Sequence, residues 1–175
     1  MFFKCTLKVR NSLKLRDKDL STTVEVSGDE LDCWYCNSFY FDRRKCLIWT
    51  HGTTLFTVLA PCVRQEDLRR FGGLFRLRAR EVLALDGVSQ SDIDRLIDDG
   101  PDHYAKTDRR SVRGTMNDHV LGCRWYAYDN GFEGTDFNDL NYRLNHTPLG
   151  AFKYQYSSER LKLFIESLMA TGKRR

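Results

Sequence analysis

Lys45-Cys46-Leu47-Ile48-Trp49-Thr50, then His51-Gly52-Thr53, then Thr54-Leu55-Phe56-Thr57-Val58-Leu59, is the stretch whose reading decides the fold. Two runs rich in β-branched and aromatic residues flank a short glycine-containing connection, the pattern of a β-hairpin. Pro61 cannot donate to a ladder and stops the second strand. Upstream, Phe2 to Val9 alternates and reads as an opening strand. Thr22-Thr23-Val24-Glu25-Val26 reads as another, closed by Ser27-Gly28-Asp29.

Downstream of Arg64 the period changes from two to that of a helix. Leu68, Phe71, Leu74, Phe75 and Val82 predict a helix running to about Leu85, weakened at Gly72-Gly73 and closed by Asp86-Gly87. Ser89 or Ser91 caps a short acidic helix over 92–99, ended by Gly100-Pro101. A polar loop, 106–110, leads into a third helix carried by Val112, Met116, Val120, Cys123 and Ala127 and broken at Asp129-Asn130-Gly131. A shorter helix covers 136–144. The last begins at Ser157 or Ser158, where Leu161, Phe164, Ile165, Leu168 and Met169 form the strongest amphipathic pattern in the chain. The expectation is an α+β fold: a small, mainly antiparallel sheet from the N-terminal half, packed against helices of the C-terminal half on one side. The chain reads as a single domain, 1–175, β-rich over 1–61, helical over 62–171, with a frayed basic tail at 172–175.

Composition fits such a globule, with 41% hydrophobic, 13% aromatic and 30% charged residues. These fractions exclude a disordered chain. No apolar stretch approaches the length of a membrane span, and the N-terminus lacks the apolar core of a signal peptide, so a soluble cytoplasmic protein with no membrane partner is expected. Free thiols are then the default for the six cysteines. The net charge of +4 hides alternating blocks: 43–80 and 103–126 are cationic, 21–42 and 81–102 anionic. Such blocks either neutralise one another across the surface or gather into a basic face.

Several strings carry a family likeness. They are Lys4-Cys5-Thr6-x-Lys8, Trp34-Tyr35-x-Asn37, Arg43-Arg44-Lys45-Cys46, the run from Lys106-Thr107-Asp108-Arg109-Arg110-Ser111-Val112 through Gly114 to Met116-Asn117-Asp118, and Leu144-Asn145-x-Thr147-Pro148-Leu149-Gly150. Together they resemble a family of bacterial proteins known only as a domain of unknown function, over nearly the whole chain. The resemblance implies an intracellular bacterial or mobile-element protein and brings no activity with it. In that family the Trp-Tyr step runs on to Ala-Asn, so Cys33 and Cys36 depart from its pattern.

Four constellations bear on chemistry. Cys33-x-x-Cys36 has dithiol spacing and, with Cys46, offers three thiolates to a metal, against the simpler reading of packed cysteines. Arg113 and His119 on one helix are the pair a helical ribonuclease uses, His119 acting on the attacking hydroxyl and Arg113 on the phosphate. Six positions, however, turn the two about 120° apart. Lys106, Arg109, Arg110 and Arg113 crowd the start of the same helix, where a phosphate can also meet free N–H groups, while Asp108 or Ser111 can cap it. Arg69, Arg76 and Arg80 line one stripe of the preceding helix, either solvated and paired with the acidic segment or free to meet phosphate.

Nucleotide, zinc-protease and serine-hydrolase signatures are absent, so no cofactor is expected. The leading expectation is a non-enzymatic module binding nucleic acid or a partner protein, antitoxin-like or a mobile-element accessory. A phosphodiesterase using Arg113 and His119, and an adaptor using the acidic segment 92–102, are the alternatives.

Overall fold

The computed structural model describes residues 1–21 and 33–170. The strand expected at 22–26 and the tail at 172–175 lie outside them. Strand β1 (Phe2–Cys5) is followed by helix α1 (Leu7–Leu13), and a turn at Asp17–Asp19 leads toward β2 (Cys33–Phe41). Then come β3 (Arg44–His51), β4 (Thr57–Ala60), α2 (Gln65–Arg69), α3 (Phe71–Leu85), α4 (Gln90–Leu96) and β5 (His103–Lys106). Helices α5 (Arg110–Asn130), α6 (Phe137–Asn145) and α7 (Ser157–Ala170) complete the described chain.

The fold is α+β. The five strands lie in the order β4-β3-β2-β1-β5. The long β2–β3 ladder and β3–β4 are antiparallel, whereas β1 runs parallel to both β2 and β5. The expected hairpin is β3–β4, with a longer connection than the sequence pattern suggested, since β4 starts at Thr57. Gly52 is required there: its N–H donates to Cys33 O at 2.7 Å, and a Cβ would stand 2.9 Å from Cys33 Sγ. The β2–β3 turn is built on Asp42 and Arg43, both with positive φ, the geometry of the primed turns that match strand twist.

Three expectations are corrected. The opening strand stops at Cys5 instead of Val9, because the chain turns into α1 at Leu7, whose one buried residue, Val9, joins Cys5 in the core. The arginine helix is two helices, broken at Arg70, while Gly72 and Gly73 lie inside α3. Finally, helices cover both faces of the sheet. On one face Phe3, Trp34 and Trp49 pack with Phe71 and Phe75 of α3, with α4 and α7 adding Ile93, Leu161 and Ile165. Phe75 sits 4.8 Å from Trp34 and 5.2 Å from Phe3 between ring centroids, a tightly interlocked aromatic centre. On the other face Phe39, Phe41, Ile48 and Leu59 meet Val120 and Cys123 of α5 and Leu140 and Leu144 of α6. Both faces being buried, the central strands read as near-continuous apolar runs without alternation.

The β4 edge is closed by side chains. Asn141 and Asn145, one turn apart on α6, are fully buried against it. Asn141 accepts from Leu59 N–H and donates to Thr57 C=O, each at 2.7 Å. Asn145 accepts from Thr57 N–H at 2.7 Å and donates to the same carbonyl at 2.9 Å. Two amides thus stand in for a sixth strand and remove a pairing template.

Candidate functional site

The cationic blocks of the sequence meet very different fates. Arg76 of α3 donates to Asp98 C=O at 2.7 Å, to Gly100 C=O at 2.6 Å and to the Asp102 carboxylate at 2.7 Å. Arg80 bonds Asp94, donates to Ile97 C=O at 2.9 Å and lies 3.6 Å from Asp99. Gly72 makes room for this clasp, since a Cβ there would collide with the Asp102 carboxylate. The acidic segment therefore neutralises Arg76 and Arg80, while Arg78 pairs with Glu81 on its own helix. Arg69 stands apart, exposed at the end of α2.

A second charged junction lies where β1, β2 and the start of α5 meet. Lys4 is a buried lysine on the floor of the sheet, its side chain 4% exposed. Its Nζ donates to Asp108 Oδ2 at 2.5 Å, and the Tyr35 hydroxyl donates to Asp108 Oδ1. Partial burial works against ionising Asp108, but hydrogen bonds from Lys4 and Tyr35, with the ammonium charge, outweigh it and hold the carboxyl below its usual range. Burial and the bond to Asp108 push the Tyr35 phenol well up, so it remains a donor. Lys4, Tyr35 and Asp108 come from three of the strings that carry the family likeness. Lys4 and Asp108 line a pocket of about 420 Å³ together with Phe2, Leu20, Ala105 and Lys106, the last paired with Asp17 at 3.0 Å. Asp108 is thereby committed to the sheet, two residues before α5 begins.

Helix α5 is two-faced over its 21 residues. Val112, Met116, His119, Val120 and Cys123 are buried. The opposite side exposes Arg110, Arg113, Leu121, Arg124, Trp125 and Tyr128. At about 100° per residue, Arg110, Leu121 and Tyr128 fall within about 20° of one line, with Arg113 and Arg124 along one flank and Trp125 on the other. Among the described residues no carboxylate pairs with Arg110, Arg113 or Arg124. Lys106 and Arg109 at the same end already hold protein partners, Arg109 donating to Gly52 C=O at 3.4 Å.

The structure separates Arg113 from His119. Arg113 is exposed, whereas His119 is buried at 4% exposure, its Nδ1 2.9 Å from Thr57 Oγ1. Burial drives its pKa down to about 4, so the ring is a neutral core group. The cysteines separate too. Cys33 and Cys36 are three apart on β2 and therefore point to opposite faces of the sheet, while Cys46 packs in a third place, among Phe39 and Ile48. Burial raises all three thiols, Cys46 to about 11. Among the described residues no group of three potential metal ligands comes together.

Sequence reasoning missed the Lys4–Asp108–Tyr35 junction, because its members are over a hundred positions apart at the extremes. It also left the exposure of Trp125 open. The signal for that surface was present in the i, i+3, i+7 spacing of polar positions opposite the apolar ones on α5.

The fold and this surface define an α+β protein with a helix-covered sheet and a cationic, aromatic outer helix. The chain belongs to a family described as a domain of unknown function, DUF6933, whose model matches residues 2–160. No curated protein and no solved structure matches it. No helix among the described residues is long and apolar enough to cross a membrane.

Proposed function

We propose that this chain is a non-enzymatic nucleic-acid-binding module whose phosphate contacts lie on the outer face of α5, at Arg110, Arg113 and Arg124. The observation that carries the reading is the contrast between two sets of arginines. Arg76 and Arg80 of α3 are spent on the acidic segment. Those of α5 stand exposed in a row, without a carboxylate among the described residues. Arginine forks onto phosphate oxygens, and a row of them about 21 Å long follows a phosphate backbone.

Binding of labelled RNA and DNA oligonucleotides, followed by fluorescence anisotropy across a salt series, tests this. Affinity should fall steeply with salt as counterions are released. The charge reversals Arg110→Glu and Arg113→Glu together should flatten the log–log salt slope by about 2. Arg76→Gln serves as the control and should leave the slope unchanged. Absence of binding at low salt to every oligonucleotide overturns the reading.

A further inference from the structure

We infer that the nucleic acid held by α5 is single-stranded, with bases stacked on Trp125 and Tyr128; this rests on the nucleic-acid reading above and names its substrate class. Trp125 is 66% exposed and Tyr128 is 86% exposed. They are three positions apart, hence neighbours on the helix surface. Among the described residues neither ring has a ring–ring or cation–π partner, although Tyr126 between them is tied to Asp139 and lies under Arg143. Leu121, one turn earlier and 51% exposed, extends the same apolar strip.

Two large rings open to water on an outer helix call for a flat apolar partner. Arg124, one turn before Tyr128 and on the flank opposite Trp125, supplies the charge that selects a phosphate-bearing one. A duplex buries its base faces in its own stack and offers only edges in the grooves. A single strand offers base faces to aromatic rings and its phosphates to the arginines at once. The cations lie along one flank of the strip, and Asp118 and Asp129 lie on the other, so the backbone runs on the Arg113–Arg124 side and the bases turn inward across Leu121, Trp125 and Tyr128.

The test uses the full chain with a roughly 12-nucleotide single strand of uridines or thymidines, and a duplex of equal length. Of the three tryptophans, Trp34 and Trp49 are buried at 2% and 0%, so quenching of the exposed emission on binding reports Trp125. Single strands should quench it and bind more tightly than the duplex. Trp125→Ala and Tyr128→Ala should each weaken single-strand binding about tenfold and leave the thermal midpoint unchanged. If the duplex binds as well and both variants keep wild-type affinity while Arg110→Glu loses it, the stacking inference falls and the nucleic-acid reading stands. If no oligonucleotide binds, both fall.

Discussion

Asn145 on α6 closes a two-way bond with Thr57 on the edge strand β4, its amide oxygen accepting from the Thr57 N–H and its nitrogen donating to the Thr57 carbonyl. Both residues are fully buried. Asn145→Ala would leave the Thr57 N–H unpaired in a dry environment, while Asn141 still satisfies the carbonyl. The expected loss is about 1–3 kcal/mol in urea unfolding. Asn145→Asp should be at least as damaging, since it removes the donor and buries a charge. A variant as stable as the wild type would remove Asn145 from its role as edge cap.

The Lys4–Asp108 pair predicts a double-mutant cycle. Asp108→Asn strands the buried Lys4 ammonium beside a neutral group. Because the Asp108 side chain is 55% exposed, the expected cost is about 1–3 kcal/mol, below that of breaking a fully buried pair. Lys4→Met combined with Asp108→Asn should recover much of it. The folded carboxyl is held below 3.8, so the pair's contribution is complete above that value. It is lost as pH falls through the depressed folded value.

Histidines predict a second, earlier acid effect. Burial holds His119 at about 4 and His51 at about 3, both below the ordinary 6.5. The unfolded chain therefore takes up these protons first, and stability declines as pH drops from about 6.5 toward 4. In thermal melts across this range His119→Leu should show a shallower decline than the wild type. Parallel curves would mean the ring is not buried and neutral.

The β2–β3 turn stores backbone strain that can be relieved. Asp42 and Arg43 both sit at positive φ, 45° and 62°, where an asparagine followed by a glycine is preferred. The double substitution Asp42→Asn with Arg43→Gly should stabilise the protein by about 1 kcal/mol, read as a higher urea midpoint. An unchanged or lower midpoint would show that the turn carries no such strain.

Thiol accessibility predicts a simple count. Cys62 is exposed and the other five cysteines are buried. A thiol reagent should modify one cysteine quickly in the native protein and all six after denaturation, and Cys62→Ser should abolish the fast phase. Rapid labelling of Cys33 or Cys46 would contradict their packing.

Much of the helical half was legible locally. Leu161 and Ile165 on α7, and Val112, Met116 and Val120 on α5, repeat at helical spacing because one stripe faces a core. The β3–β4 hairpin was legible for the same reason, as its partners are neighbours in sequence. Strand β2 was not, since Trp34, Cys36, Tyr35 and Phe39 bury on both faces and erase alternation. Strand β5 was lost among polar residues; only its parallel pairing with β1, Phe2 opposite His103, makes it a strand.

The sequence alone determined the elements whose signal is periodic, the charge blocks and the shortage of catalytic motifs, because each depends on residues close together in the chain. The tertiary structure decided which charges are free. Arg76 and Arg113 are both arginines on helices with acidic neighbours in sequence. Folding brings the 98–102 segment onto Arg76 and leaves Arg113 facing water. It likewise brings Asp108 to Lys4 across 104 positions, and turns His119 inward beside Thr57. Those pairings depend on layer order and strand register, which are long-range properties that no local spacing encodes.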